Sequence, residues 1–271
     1  VSVRDSTQRD TRRARSLGLP LIFAFAVLAG SACSGADKPQ VTVAAAADLR
    51  FAFEEIAATF EQQCGCDVVL TFGSSGTLAS QIQEGLPADL YFSANVSYVE
   101  ELEEKSLILR ETKQLYAIGR IVLAYNRAAD LDVDDLADLR DPRIRKVAIA
   151  NPAHAPYGVA AKEALEATGM WDDVSPRLVL GDNASQAAQF VQGGDASVGI
   201  LPLSLAVGLK NDLSYTLIDD SLHAPLRQVA VVLKRSRQPE LAKAFLEFVN
   251  GEQGRPVMRK YGFVLPGEEA Q

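Results

Sequence analysis

Between Val41 and Tyr261 the sequence alternates short apolar, β-branched runs with helical patterns, and that alternation admits few folds. "VTVAAAA" (41–47) reads as a strand. "DLRFAFEEIAATFEQQ" reads as the helix that follows, with Leu49, Phe53, Ile56 and Phe60 recurring at helical spacing. Further strands are expected at 66–72, 88–94, 119–127, 146–152, 177–183, 196–203, 213–219 and 227–234. Helices are expected over 77–84 (closed by Gly85), from a cap at Asn95 through Lys105, over 158–168 and 185–194, and from 238 to 261. Strands in alternation with helices predict an α/β protein on largely parallel sheets. At 271 residues, 48% of them hydrophobic, the chain is large enough for one big domain or two lobes.

The first forty residues follow a different grammar. Arg4, Arg9, Arg12, Arg13 and Arg15 precede the apolar run "LGLPLIFAFAVLA" and the small residues "GSAC". A basic stretch, a short apolar core and a small-residue site mark a secretory signal over 1–32. The run is shorter than the ~20 residues that span a bilayer. Cys33 sits where the acylated cysteine of a bacterial lipoprotein lies, although Gly30 stands where such sites usually carry leucine. Lipidation at Cys33 is therefore expected, with ordinary cleavage nearby as the alternative and 33–40 as a linker. Loss of five Arg and two Asp with the leader takes the formal charge from -8 to -11. So acidic a chain does not suit nucleic acid or anionic lipid as a main partner.

Cys64 and Cys66 flank Gly65. Two cysteines are too few for a zinc site. A disulfide across one residue is a strained geometry. Two thiols in a helix-to-strand turn are the simpler reading, and the pair stays open between them.

In open α/β sheets ligands bind at the carboxyl ends of strands, so the strand-to-helix junctions carry the chemistry. There are four: "AAAAD" (44–48), "FGSSG" (72–76), "NPAHAPYG" (151–158) and "LGDNAS" (180–185). The second lies within "TFGSSGTLASQIQEG", which has the turn of a phosphate loop without its lysine. None of the four contains Lys or Arg. Each offers small, hydroxylic or amidic residues and the unpaired N–H groups of a helix start. Backbone dipoles and hydroxyls can hold a doubly charged oxyanion without a formal countercharge. An enzyme is not indicated. The G-x-S-x-G pattern around Ser75 fails at Thr77, and His154 and His223 have no readable catalytic partner.

With "VTVAAAADL", "FGSSGTLASQI", "GLPADLYFSA", "NPAHAPYGVAAKEAL", "GDNASQAAQFV" and "RKYGF" in place, the chain resembles the molybdate-binding proteins of bacterial ABC importers, from Val41 to about Pro266. The resemblance implies a type II periplasmic-binding-protein fold. Lobe 1 would comprise 41–117 and 227–271, and lobe 2 would comprise 118–226, with crossovers near Tyr116–Arg120 and Ala224–Gln228. It implies closure around a tetrahedral molybdate or tungstate as transported ligand, with no cofactor and no side chain coordinating the metal. It implies an ABC permease and its ATPase as partners, a monomeric state and an extracytoplasmic location. A receptor for another oxyanion, such as sulfate or phosphate, or for another small ligand is the alternative.

Carried over residue by residue, the resemblance puts the ligand contacts on Asp48, on Ser75 through hydroxyl and N–H, and on the backbone N–H groups of Tyr157 and Ala184. Ser74 and Asn183 are additional candidates. A tyrosine hydroxyl that some relatives use near Pro202 is missing, with Tyr157 or Ser204 as replacements. Asp48 departs most from the family, which usually has Ser or Asn there. The preferred reading makes it the N-cap of the helix from Leu49, its side chain turned back onto that helix. The other makes it a proton acceptor for a ligand such as hydrogen phosphate. His154 reads as a structural loop residue.

Overall fold

The computed structural model describes residues 38–268; the expected signal sequence (1–32) and the expected lipidation site Cys33 lie outside the described residues. The chain begins with β1 (Gln40–Ala46), a 3-10 turn over Ala47–Leu49, α1 (Arg50–Cys64) and β2 (Asp67–Gly73). It continues through α2 (Ser75–Glu84), β3 (Leu90–Ser93), α3 (Val96–Glu104) and β4 (Gln114–Gly119). Then come β5 (Ile121–Asn126), β6 (Val147–Ala150), α4 (Pro156–Ala167), the short α5 (Trp171–Val174) and β7 (Leu178–Gly181). After these lie α6 (Ala184–Gln192), β8 (Val198–Pro202), α7 (Leu203–Gly208), β9 (Leu213–Leu217), β10 (Leu226–Val232), α8 (Pro239–Asn250) and α9 (Gly254–Lys260).

The strands form two five-stranded sheets, ordered β2-β1-β3-β10-β4 and β7-β6-β8-β5-β9. In the first, β10 runs antiparallel to both its neighbours; in the second, β5 does. The remaining strands of each sheet run one way, so the expected α/β class with mainly parallel strands is what the chain adopts. The reversed strands are the ones that follow the passages between sheets. Arg120 alone separates β4 from β5, and the return runs from the end of β9 to Leu226, which pairs with Gly119.

One expected strand, 119–127, is thus part of two. β4 was not legible because its pattern runs straight into that of β5, and apolar alternation does not reveal a change of sheet. Ile118, Gly119 and Leu226, expected in the second lobe, pair within the first sheet. The 3-10 turn moves the start of α1 from Asp48 to Arg50. Of the two arrangements open for Cys64 and Cys66, the disulfide is the one present. Gly65, at φ 63°, supplies the left-handed turn between them.

Strand alternation divides each sheet between two cores. Val41, Val43, Ala45, Leu90 and Phe92 face the layer of α1, α8 and α9, while Ala44 and Tyr91 face α2 and α3. The first layer is built on edge-to-face rings: Phe53 lies 4.8 Å from Phe92 and 5.9 Å from Phe245, and Phe60 lies 5.2 Å from Phe245. In the second sheet Ile121, Leu123, Val147 and Ile149 pack toward α4. Ala124, Ala148 and Ala150 let α6 and its alanines approach the other face. Gly158 fixes α4 against β6, because a Cβ there would lie 2.1 Å from the Ala150 carbonyl oxygen.

Phe53 is fully buried at the centre of the ring cluster. Phe53→Ala is expected to destabilise the protein by about 3–5 kcal/mol through lost burial and a residual cavity. Equilibrium denaturation checks this; an unchanged midpoint would show that the cluster collapses to fill the space.

Candidate functional site

The carboxyl ends of β1 and β2 face the starts of α4 and α6 across a small cavity, with about 10 Å³ open to the centre of a water-sized sphere. From the first sheet come Asp48, Ser74 and Ser75; from the second come Pro156, Tyr157 and Ala184. Gly73 and alanines complete the lining, and no Lys or Arg belongs to it. Three helices therefore start at one small space. Helix geometry leaves the N–H groups of Ser75, Tyr157 and Ala184 without intrahelical acceptors, and the positive ends of α2, α4 and α6 favour an anion there.

The serines divide the work. Ser74 caps α2, its Oγ accepting from the Thr77 N–H at 3.3 Å. Ser75 Oγ accepts the buried Ala94 N–H at 3.0 Å, and a hydroxyl used in that way keeps its own proton to donate. Asn183 caps α6, accepting from Gln186 N–H at 3.1 Å, and is not part of the cavity lining.

Asp48 does not cap a helix. The N-cap of α1 is Leu49, with no side-chain capping bond, and the intervening 3-10 turn aims the Asp48 carboxylate across to the second sheet. Its Oδ2 accepts from Tyr157 Oη at 2.9 Å and from Gln228 Nε2 at 2.8 Å, and its main-chain oxygen accepts from Ser204 Oγ at 2.7 Å. Both hydroxyls considered as substitutes for the missing tyrosine are thus engaged with Asp48. Asp48 is 1% exposed, and its Oδ1 has no hydrogen-bond partner among the described residues. Burial raises its carboxyl from 3.8 to about 6, against the opposing pull of the bonds from Gln228 and Tyr157. Burial, and then the Asp48 charge, push the Tyr157 phenol well above its ordinary value.

Gln228 escaped the sequence reading. A lone amide inside the apolar run "RQVAVVLK" was its only signal, and it is fully buried beside Tyr157 Oη at 2.8 Å. His154, read as structural, bridges the two halves. Its carbonyl accepts from Gly76 N–H at 2.9 Å and its Nδ1 lies 2.8 Å from Ser74 Oγ. Ser185 Oγ adds a bond of 3.0 Å to the Ala47 carbonyl. These bonds hold the two sheets closed over the cavity.

Two α/β lobes joined by two crossovers and closed on a small space lined with hydrogen-bond donors define a two-lobed binding protein. The chain belongs to the family of bacterial extracellular solute-binding proteins, which matches residues 41–264. It is 33% identical to the molybdate-binding protein ModA of Rhodobacter capsulatus over 254 residues, 94% of this chain and 97% of that one. It is also 33% identical to ModA of Escherichia coli (strain K12), over 90% of this chain and 95% of that one. Among solved structures, the Azotobacter vinelandii periplasmic molybdate-binding protein superposes with a TM-score of 0.79 at 28% identity, covering 83% of this chain and 99% of that chain.

Two outcomes follow from this geometry. A Cβ on Gly76 would lie 2.8 Å from the His154 carbonyl oxygen and 2.9 Å from Tyr98 Oη, so Gly76→Ala is expected to hold the lobes apart. Small-angle scattering should report a larger radius of gyration than wild type, and an identical profile would contradict it. The second outcome concerns pH. The folded-state pKa of Asp48 lies above its unfolded value, so its contribution to stability is complete below pH 3.8 and is lost as pH rises through about 6. The loss is roughly 3 kcal/mol in the closed form. The stability of Asp48→Asn relative to wild type should therefore improve between pH 4 and 7; a constant difference would refute the burial cost.

Proposed function

We propose that this chain is the extracytoplasmic substrate-binding component of a molybdate or tungstate ABC transporter. One observation carries the reading: three helix starts and the Ser75 hydroxyl meet at a small cavity that no Lys or Arg among the described residues lines. That donor set suits a small, fully ionised tetrahedral oxyanion and suits poorly a sugar, a peptide or an amino acid. Relatives over nearly the whole chain are molybdate-binding proteins.

In this reading the ligand oxygens take the Ser75 hydroxyl, the N–H groups of Ser75, Tyr157 and Ala184, and a contact at Asp48. No side chain coordinates the metal. The lobes close by bending at Arg120 and at the return strand, each sheet moving as a body. Closure removes water, so each donor acts in a lower dielectric. The closed protein then presents both lobes to a membrane permease, whose ATPase drives release. Acylated Cys33 would keep a monomeric receptor at the membrane; among the described residues no helix is long and apolar enough to cross one.

Hydrogen phosphate is the second reading, and the Asp48 carboxyl is the feature that favours it, since a protonated oxyanion could donate to that group. Calorimetry with molybdate, tungstate, sulfate and phosphate separates the two. Tight binding of molybdate and tungstate is expected; silence with both, or a response to phosphate alone, would overturn the assignment. Ser75→Ala should weaken molybdate binding about tenfold or more, as loss of a hydrogen bond to a charged group costs roughly 1.5–3 kcal/mol. It should also lower ligand-free stability, because the Ala94 N–H loses its acceptor. Unchanged affinity would reduce Ser75 to that structural role.

A further inference from the structure

We propose that binding of the oxyanion takes up one proton from water, held between Asp48 Oδ1 and a ligand oxygen. The inference rests on the proposed function and extends it to the chemical form in which the ligand is held.

Geometry leaves little choice. Asp48 lines the cavity. Its Oδ2 is committed to Tyr157 Oη and Gln228 Nε2, so Oδ1, buried and without a partner among the described residues, is the oxygen left for the ligand. An ionised carboxylate offers only lone pairs, and so does a dianionic oxyanion. Brought together in a space without water, the two would repel and leave neither satisfied. One proton turns that contact into a charge-assisted hydrogen bond, whichever oxygen carries it.

Among the described residues the surroundings supply no cation. The side chains facing Asp48 are Tyr157 from α4, Gln228 from β10 and Ser204 from α7, with Tyr116 of β4 close enough to feel its charge. The two phenols are held neutral by burial, and the amide and the hydroxyl do not titrate near neutrality. Burial is the dominant influence on Asp48, opposed by the bonds from Gln228 and Tyr157 and by its own main-chain N–H, and already brings its carboxyl to about 6 before any ligand charge is added. A dianion in the cavity moves it further in the same direction. Serine or asparagine at this position would bind the same dianion without a proton. Aspartate there makes a contact that would otherwise be pH-indifferent depend on pH.

The test is calorimetry with sodium molybdate on the full chain, from pH 6.5 to 8.5, in two buffers of different ionisation enthalpy free of phosphate and sulfate. Wild type is expected to take up close to one proton per ligand, with affinity falling about tenfold per pH unit. Asp48→Asn is expected to take up none and to bind with a flat pH profile. Strong molybdate binding with no proton uptake in wild type overturns this proposal and leaves the functional reading standing. A variant that keeps the wild-type slope overturns it as well. No binding of molybdate at any pH removes the functional reading and this inference with it. Should Asp48→Asn fail to fold, the proton count of the wild type decides alone.

Discussion

The contact on which the closed structure turns is the hydrogen-bonded group of Asp48, Tyr157 and Gln228. It draws on the turn after β1, the first turn of α4 and the middle of β10, so it ties both lobes to the strand that returns between them. Everything near it makes room for it. Gly119 ends β4 beside the group, where a Cβ would lie 2.1 Å from Tyr157 Oη and 2.7 Å from Gln228 Nε2. Burying a carboxylate is costly unless its lone pairs are met. Here one oxygen is met twice, and the other has no side-chain partner among the described residues. In the proposed function the ligand would meet that second oxygen.

The rest of the cleft works by geometry more than by charge. Alanines along the lining keep side chains short, so that helix starts can approach a small ion directly. The bonds from His154 to Gly76 and Ser74, and from Ser185 to Ala47, bridge the lobes around that space. Each is an ordinary hydrogen bond, worth about 1 kcal/mol net. A latch of such bonds is weak enough to open and specific enough to define one closed arrangement.

Most of the architecture was legible because its signals are local. Phe53, Ile56 and Phe60 recur on one face of α1, Gly85 ends α2, and Asn95 caps α3. The junctions that form the cavity were legible from their residue types. What was not legible depends on partners distant in sequence. Asp48 looks like a cap in its own segment, and only the approach of Tyr157, 109 positions away, pulls its side chain elsewhere. Gln228 carries no meaning until Asp48 is placed beside it. The disulfide between Cys64 and Cys66 was left open for another reason, since spacing alone could not decide between bonded and free thiols.

The two passages between sheets also make the lobes unequal in the order in which a growing chain can complete them. The second sheet is contiguous, from Ile121 to Leu217, and all its strands are present once β9 has formed. The first sheet is split: β10 pairs with β3 and β4, and Phe245, Leu246 and Met258 fill the core beneath β1 and β3. Its ring cluster cannot close until the last helices arrive, however early its first strands appear. Such long-range contacts are the slow ones to form. The lobe whose strands come first is therefore the lobe finished last, and the binding cleft is assembled only after α8 and α9 have emerged.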